Sequence, residues 1–200
     1  MQGMKRYPDK YFDLAVVDPP YGIGAGAKSF INGTSKTQKN YYRENDWDTE
    51  KPNAEYFNEL LRASKNQVVW GGNYFAEHLG SFRCFLCWDK TIHGNSYADC
   101  ELAWTSFDSP ARYYRKNIAQ VNSEGRIHPT QKPITLYEWI LLNYAKPGDK
   151  ILDTHVGSGS SRIAAYKHGF DFVGFEIDKE YFEAQEKRFN DFKAQQTFDF

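Results

Sequence analysis

The sequence predicts one α/β domain, spanning residues 1–200 and built on a doubly wound, mostly parallel sheet. Two observations carry this prediction. Short apolar runs that suit buried strands alternate along the chain with amphipathic stretches of helical period, and brief turns separate them. A length of 200 residues suits one core of ordinary size, and no repeat, low-complexity tract or linker divides the chain.

Six apolar runs are predicted strands. In chain order they cover residues 13–17, 67–70, 84–88, 101–107, 150–153 and 171–176. The run 13–17 is almost continuously apolar, which is typical of a strand buried on both faces of a parallel sheet. The third and fourth runs are expected to be antiparallel neighbours, so that one strand of the sheet is antiparallel. The tryptophans in these runs are expected in the core; they are Trp70, Trp88 and Trp104.

Four helices are predicted between and after these strands. They cover residues 52–64, 134–145, 160–169 and 178–192. A proline stands at or just before the start of the first two, as suits a helix N-terminus. Two long segments, approximately 22–47 and 108–127, lack clear periodicity. Segments of this kind in a compact domain are usually functional loops.

The composition excludes several classes of protein. No apolar run approaches the ~20 residues that span a bilayer, and the first residues carry no signal-peptide core, so we expect a cytoplasmic protein without a membrane partner. Three cysteines, an odd number, argue against a disulfide framework. Cys84 and Cys87 lie three apart on a predicted strand and point to opposite faces, which favours ordinary buried thiols over a metal site.

The net charge of −1 hides an uneven distribution of basic residues. The irregular segments hold two basic clusters: Lys28, Lys36, Lys39 and Arg43 in the first, and Arg112, Arg115, Lys116 and Arg126 in the second. Basic loops of this kind suit a protein that meets phosphates on one face. A solvated loop surface explains the charge equally well.

A glycine turn follows one predicted strand in "ILDTHVGSGSSRIAAY". After Asp153, Gly157 and Gly159 would let a ligand approach the backbone at a helix N-terminus. About twenty residues later Glu176 ends the next strand, where an acid can bind ribose hydroxyls. A plain tight turn is the alternative. The turn lacks a third glycine, and the lysine of "GIGAGAKS" does not directly follow its last glycine, so a nucleoside cofactor without phosphates is favoured.

A second strand-end motif is "VVDPPYG", residues 16–22. Its two prolines cannot donate to a sheet ladder, and each ring restricts the backbone. The motif therefore presents the carboxylate of Asp18 and the ring of Tyr21 on stiff backbone at the end of a buried strand. A plain turn is again the alternative.

Four stretches in this order resemble the motifs of the beta-class amino-methyltransferases of DNA. They are "DPPY" (18–21), "HPTQKP" (128–133), "DTHVGSGS" (153–160) and "GFEIDKEYFEAQEKR" (174–188). The likeness covers nearly the whole chain. Small phage and prophage adenine methyltransferases are most similar in chain length and in motif sequence. It implies a Rossmann-like methyltransferase fold, S-adenosyl-L-methionine as cofactor, double-stranded DNA as partner, and methyl transfer to the exocyclic N6 of adenine, as in restriction–modification.

The resemblance implies that Asp18, Pro19, Pro20 and Tyr21 are the catalytic residues. Asp18 and the carbonyl of Pro19 would accept the N–H hydrogens of the target amine, and Tyr21 would stack on a base swung out of the duplex. Aspartate at the first position favours adenine. Transfer to the N4 amine of cytosine, or a catalytically weak relative that binds DNA or cofactor, are the alternatives.

The resemblance also implies a set of cofactor-binding residues. They are Asp153, Thr154, His155, Gly157, Ser158, Gly159, Glu176 and Ile177, with Thr130, Lys132 and Pro133 lining the methionine end beside His128. In plainer interpretations Pro133 starts a helix, Lys132 is solvated and Ile177 is core. The basic residues of 22–47 and 108–127 become candidate DNA contacts. Since so little chain is available to read bases, we expect a short or relaxed target sequence.

The chain departs from the family's pattern in two places. Thr154 and His155 stand where the family usually has Pro and Phe. The six predicted strands are one fewer than the family's seven, and the missing strand is expected at the edge beside 171–176. Our hypothesis is a shortened N-terminus, because "MQGMKRYPDK" already suits the helix that leads into the first strand. The C-terminal "QTFDF" is a candidate to fill that edge.

Overall fold

The computed structural model describes residues 2–24, 48–92, 94, 98–117 and 126–196. Its strands are β1 (Phe12–Val17), β2 (Ser64–Trp70), β3 (Phe85–Asp89), β4 (Cys100–Thr105), β5 (Arg112–Arg115), β6 (Lys150–Asp153) and β7 (Asp171–Gly174). Its helices are α1 (Ala54–Ala63), α2 (Ala76–Leu79), α3 (Ile134–Tyr144), α4 (Ser160–Lys167) and α5 (Lys179–Gln196), with short 3-10 turns at Met4–Arg6 and Gly72–Tyr74. All six predicted strands and all four predicted helices are present, with shifted bounds.

The strands form one sheet in the order β5-β3-β4-β2-β1-β6-β7. β4 runs antiparallel to both of its neighbours, β2 and β3, and every other adjacent pair is parallel. The predicted doubly wound, mostly parallel sheet with one antiparallel strand is confirmed.

The predicted count of six strands is wrong, because β5 lies in the segment 108–127 that was expected to be a loop. Its sequence, "RYYR", has no apolar run, and its side chains are mostly exposed. Hydrophobic pattern therefore gives no signal for this strand. Parallel backbone pairing with β3, from Leu86 opposite Arg112 to Asp89 opposite Arg115, holds β5 at the edge of the sheet.

The other edge of the sheet is β7. It pairs with β6, and no strand of the described residues lies on its outer side. The strand that the sequence analysis expects to be missing would lie on this outer side. Residues 197–200 of "QTFDF" lie outside the described residues, so its candidate role at this edge is untested.

Helices cover both faces of the sheet. Leu14 and Val16 of β1 belong to a buried cluster with α3 and α4. Ala15 and Val17, which point the other way, belong to a second cluster with α1. A central strand covered on both faces needs apolar side chains at every position, which explains the continuous apolar run. The three tryptophans predicted in the core are all buried: Trp70, Trp88 and Trp104.

All three cysteines are free thiols. Cys84 is buried, as expected, whereas Cys87 and Cys100 are half-buried. Within the described ranges, no group of three or more histidine, cysteine or acidic side chains is placed to hold a metal ion. None of the helices in those ranges is long and apolar enough to cross a membrane.

The polar residues that the sequence analysis singled out lie at one end of the sheet. The parallel strands β1, β6 and β7 have their carboxyl ends there. Because β4 is antiparallel, its first residues lie there too, and Glu101 stands opposite Trp88 near the end of β3. Asp18 and Lys132, which are 114 positions apart along the chain, therefore meet at this end of the sheet.

Candidate active site

Asp18 directly follows β1, and both oxygens of its carboxylate are engaged. The hydroxyl of Tyr21 donates a hydrogen bond of 2.7 Å to Oδ1, and Nζ of Lys132 donates one of 2.5 Å to Oδ2. The side chain is 16% exposed. Burial raises the pKa of Asp18, while the cation of Lys132 opposes the rise. Asp18 is thus a half-buried acceptor oriented by two donors.

The turn after Asp18 is held by Asp48, a residue that sequence reasoning missed. Oδ1 of Asp48 accepts the backbone N–H of Tyr21 at 2.6 Å and that of Gly22 at 2.9 Å. Its backbone carbonyl accepts the N–H of Gly24 at 3.0 Å. Asp48 is itself buried. Charge-assisted bonds from two adjacent backbone donors hold the turn in one orientation.

The ring of Tyr21 is packed on two sides. Tyr74 stacks on it, with ring centroids 4.9 Å apart and planes at 16°. Gly71 lies so close that a Cβ built there would stand 2.2 Å from a ring atom of Tyr21. Gly71 also has a φ of +69°, in the region that favours glycine. The ring expected to stack on a base therefore already has a tyrosine on one face.

Lys132 lies at the centre of a buried charge network. Its side chain is 2% exposed, so the interpretation as a solvated lysine is wrong. Besides Asp18, Nζ contacts Oε2 of Glu101 at 3.0 Å, and Oε1 of Glu101 contacts Nζ of Lys90 at 2.6 Å. We call these four residues, Lys90, Glu101, Lys132 and Asp18, the lysine–carboxylate network.

The charges of the lysine–carboxylate network stabilise one another. Burial would raise the pKa of Glu101, but the cations of Lys132 and Lys90 lower it to about 2. Burial would lower the pKa of Lys132, but Asp18 and Glu101 raise it above its usual value. Two cations and two carboxylates share one poorly hydrated site, where the loss of either sign would leave a costly buried charge.

The glycine turn between β6 and α4 draws Glu176 against it. Gly157 and Gly159 have φ angles of +51° and +76°, so both need the freedom of glycine. The N–H of Gly157 donates to Oε2 of Glu176 at 2.8 Å, and the N–H of Asp178 donates to Oε1 at 2.9 Å. The two motif residues that the sequence separates by nineteen positions are thus in contact.

Asp153 forms hydrogen bonds with residues on both sides of the glycine turn. It accepts the N–H of His155 at 2.9 Å and the hydroxyl of Ser161 at 2.5 Å. Burial raises the pKa of Asp153 to about 7. Ser158 is buried in the same turn, and its carbonyl accepts a 2.8 Å hydrogen bond from Arg188 of α5. These bonds are internal, so they fix the shape of the turn.

The segment 128–133 connects the two parts of the site. The ring of His128 lies beside the glycine turn, 3.7 Å from where a Cβ on Gly157 would stand. Its Nδ1 lies 3.1 Å from the hydroxyl of Thr130, and burial, with the cation of Lys132, lowers the pKa of His128 to about 3. Lys132 reaches Asp18 from the same segment. Pro133 is the N-cap of α3, which confirms its interpretation as a helix start.

Thr154 and His155, the departures from the family pattern, pack onto α1. The hydroxyl of Thr154 lies 2.7 Å from the hydroxyl of Tyr56 and 2.9 Å from Nδ1 of His155. Burial lowers the pKa of His155 to about 4, so the ring is neutral at pH 7. Ile177 is 100% exposed, and its interpretation as a core residue is wrong. It leaves an apolar side chain in solvent beside Glu176.

The candidate DNA contacts are only partly described. Lys28, Lys36, Lys39 and Arg43 lie outside the described residues. In the second cluster, Nε of Arg115 donates to Asp89 at 2.8 Å, Nζ of Lys116 to Thr135 at 3.1 Å and Nε of Arg126 to the carbonyl of His128 at 3.0 Å. Arg112 is exposed on β5. The cluster is therefore spread over β5 and the segment before α3.

Sequence reasoning missed three charged residues of this site: Asp48, Lys90 and Glu101. Glu101 begins an apolar strand, "ELAW", where a charge looks like an ordinary solvated strand end. Lys90 follows β3 in the same way. The one available signal was that β4 was expected to be antiparallel, which places its first residues, not its last, at the end of the sheet that holds the site.

A family model described as DNA methylase matches residues 35–187, more than half of the chain. Among curated proteins, a segment of 61 residues, 30% of this chain, is 48% identical to the Type II methyltransferase M2.DpnII of Streptococcus pneumoniae. That match spans 23% of the relative's length, well under two thirds of it.

Solved structures share the fold at low sequence identity. The M1.HpyAVI–SAM complex superposes with a TM-score of 0.59 and 19% identity, over 90% of this chain and 89% of that one. The cytosine-N4-specific PvuII DNA methyltransferase superposes with a TM-score of 0.59 and 14% identity, over 94% of this chain and 86% of that one. At these identities the likeness establishes the architecture and leaves the chemistry to the residues of the site.

Proposed function

Because the chain belongs to the N6/N4 family of DNA methylases, we propose that it transfers a methyl group from S-adenosyl-L-methionine to the exocyclic N6 of adenine in double-stranded DNA. The observation that carries the proposal is the position of Asp18. Its half-buried carboxylate, oriented by Tyr21 and Lys132, lies at the same end of the sheet as the glycine turn and Glu176.

Asp18 and Pro19 would make the target amine reactive. An aromatic amine is a poor nucleophile, since its lone pair is delocalised into the ring. Asp18 and the carbonyl of Pro19 would accept its two N–H hydrogens and favour a pyramidal nitrogen whose lone pair faces the methyl group. The prolines and Asp48 hold these acceptors in advance, which reduces rearrangement during the reaction.

The glycine turn would hold the cofactor, whose sulfonium supplies the methyl group when it is bound. Glu176 retains lone pairs for ribose hydroxyls beyond its two backbone bonds. Ile177 is a fully exposed apolar side chain beside it, which suits contact with an adenine ring. The residues therefore fit a nucleoside with a methionine-like tail reaching toward His128 and Thr130.

The second candidate is transfer to the N4 amine of cytosine. The family includes both N6 and N4 methylases, and the same two acceptors would serve either amine. Aspartate at position 18, where we associate serine with cytosine-directed enzymes, supports adenine.

Labelling identifies the product directly. The protein is incubated with unmethylated plasmid DNA and methyl-labelled S-adenosylmethionine, and the digested nucleosides are separated. We expect label in N6-methyladenine, lost in Asp18→Ala and retained in Glu55→Ala, whose carboxylate is 56% exposed and forms a surface ion pair. Label in N4-methylcytosine would support the second candidate. No label from the wild-type protein, despite cofactor binding, would refute the proposal in favour of a weak binding relative.

A further inference from the structure

Lys132 occupies the acceptor that the target amine needs. We propose that Lys132 rests on Asp18 until a base enters, and that Glu101 is the second acceptor that receives its ammonium when the amine takes its place. Glu101 is thus a positioning residue. This inference rests on the proposed function, because it assigns the displaced contact to the reacting amine.

The first observation is that the ammonium resembles the substrate group. Nζ of Lys132 is a nitrogen that donates N–H to Oδ2 of Asp18 at 2.5 Å, as the exocyclic amine would. Oδ1 is engaged by Tyr21 at 2.7 Å. Oδ2 has a second lone pair, but the side chain is largely buried, so the ammonium and an incoming amine compete for the same side of this oxygen.

The second observation is charge. A methyl donor that carries a sulfonium brings a positive charge toward Asp18. The ammonium on Asp18 is a second positive charge at the same place, and the two cations would repel each other where water screens poorly. On Glu101 the ammonium is neutralised by a different carboxylate, which leaves the negative charge of Asp18 to the amine and the methyl donor.

The third observation is that Glu101 already lies within reach of the ammonium. Oε2 of Glu101 lies 3.0 Å from the same Nζ, so a small rotation of the lysine side chain completes the exchange. Lys90 holds the other oxygen of Glu101 at 2.6 Å and fixes its position. The ammonium lies 5.3 Å from the ring centroid of Trp70 and 5.9 Å from that of Tyr21, so aromatic faces stabilise the cation between its two acceptors.

Kinetics of Glu101→Gln test the exchange. The amide is a poorer acceptor for the ammonium, so Lys132 should remain on Asp18. We expect kcat/KM for plasmid DNA to fall about ten- to hundredfold, the loss typical of removing one charged hydrogen-bond partner. The Kd for S-adenosylmethionine should stay unchanged, since the side chain of Glu101 binds Lys132 and Lys90 and not the glycine turn. Glu101→Asp should recover part of the loss.

Glu55→Gln is the matched control, because Glu55 forms an exposed ion pair with Lys5 at 2.9 Å. Equal activity of Glu101→Gln and Glu55→Gln, in a preparation whose wild type is active, would overturn the inference and leave the proposed function intact. An inactive wild type would instead refute the proposed function and the inference with it.

Lysine NMR tests the exchange in the wild-type protein, whether or not Glu101→Gln folds. The protein carries ¹⁵N at lysine Nζ, and Lys132→Arg assigns the signal. Sinefungin serves as a non-reacting cofactor analogue. A duplex that contains the target sequence in unmethylated form should shift the Lys132 signal and leave the Lys5 signal in place. A Lys132 signal that does not move when the duplex binds would overturn the inference.

Discussion

The contact between Gly71 and the ring of Tyr21 allows a sharp test of how the site is assembled. In Gly71→Ala the new Cβ would stand 2.2 Å from the Tyr21 ring, closer than any real contact. The backbone at Gly71 also has a φ of +69°. The substitution therefore strains the backbone and pushes Tyr21, whose hydroxyl orients Asp18.

The two costs can be estimated separately. An alanine in the left-handed region costs about 1–2 kcal/mol. Overpacking against the tyrosine adds about 1–3 kcal/mol. A total of about 2–5 kcal/mol should lower Tm by about 4–20 °C for a chain of this length. Displacement of Tyr21 should lower kcat about a hundredfold, as misplaced catalytic groups do.

Gly169→Ala is the matched control. Gly169 has a φ of +70°, and nothing lies within 4 Å of a Cβ built there. In a thermal melt, Gly169→Ala should lose only the stability that alanine costs in the left-handed region, about 1–2 kcal/mol. It should keep the wild-type kcat in the methyl-transfer assay. If both variants lost equal stability and equal activity, the packing of Tyr21 on Gly71 would not be what orients Asp18.

Three further predictions follow from the described contacts. Asp48→Ala should lower kcat without changing the Kd for S-adenosylmethionine measured by calorimetry, because it frees the turn after Asp18 and leaves the glycine turn intact. Acid should destabilise the protein through His155: its folded pKa of about 4 lies below the usual value, so the unfolded state takes up a proton first and stability falls as pH drops from about 6.5 to about 4. Urea unfolding should show a smaller loss over that window in His155→Gln, and an equal loss would contradict this. Arg112→Ala should weaken DNA binding and its salt dependence more than Arg115→Ala, since Arg115 already pairs with Asp89; equal salt slopes in a fluorescence titration would argue against it.

The sequence predicted the parts of this protein whose information is local. The apolar run of β1 and the alternation of strands and helices predicted the sheet, because burial on both faces demands those residues. "DPPY" and "DTHVGSGS" predicted the position of Asp18 and of the glycine turn. Consecutive prolines stiffen a turn, and glycines allow left-handed backbone, so both features depend only on adjacent residues. β5 was missed because its sequence has no apolar pattern. Backbone pairing with β3, the ion pair of Arg115 with Asp89 and the packing of Tyr114 on Trp139 hold it in place.

The tertiary structure decided how charges meet across the site. Lys132 lies 114 positions from Asp18, and nothing in "HPTQKP" says that its lysine would be buried on that carboxylate. Glu101 joins the network because β4 runs antiparallel and brings its first residues to the end of the sheet where the parallel strands end, and Lys90 directly follows β3 at that end. Pairing between distant charges depends on strand order and direction, and these arise only when the whole sheet is assembled.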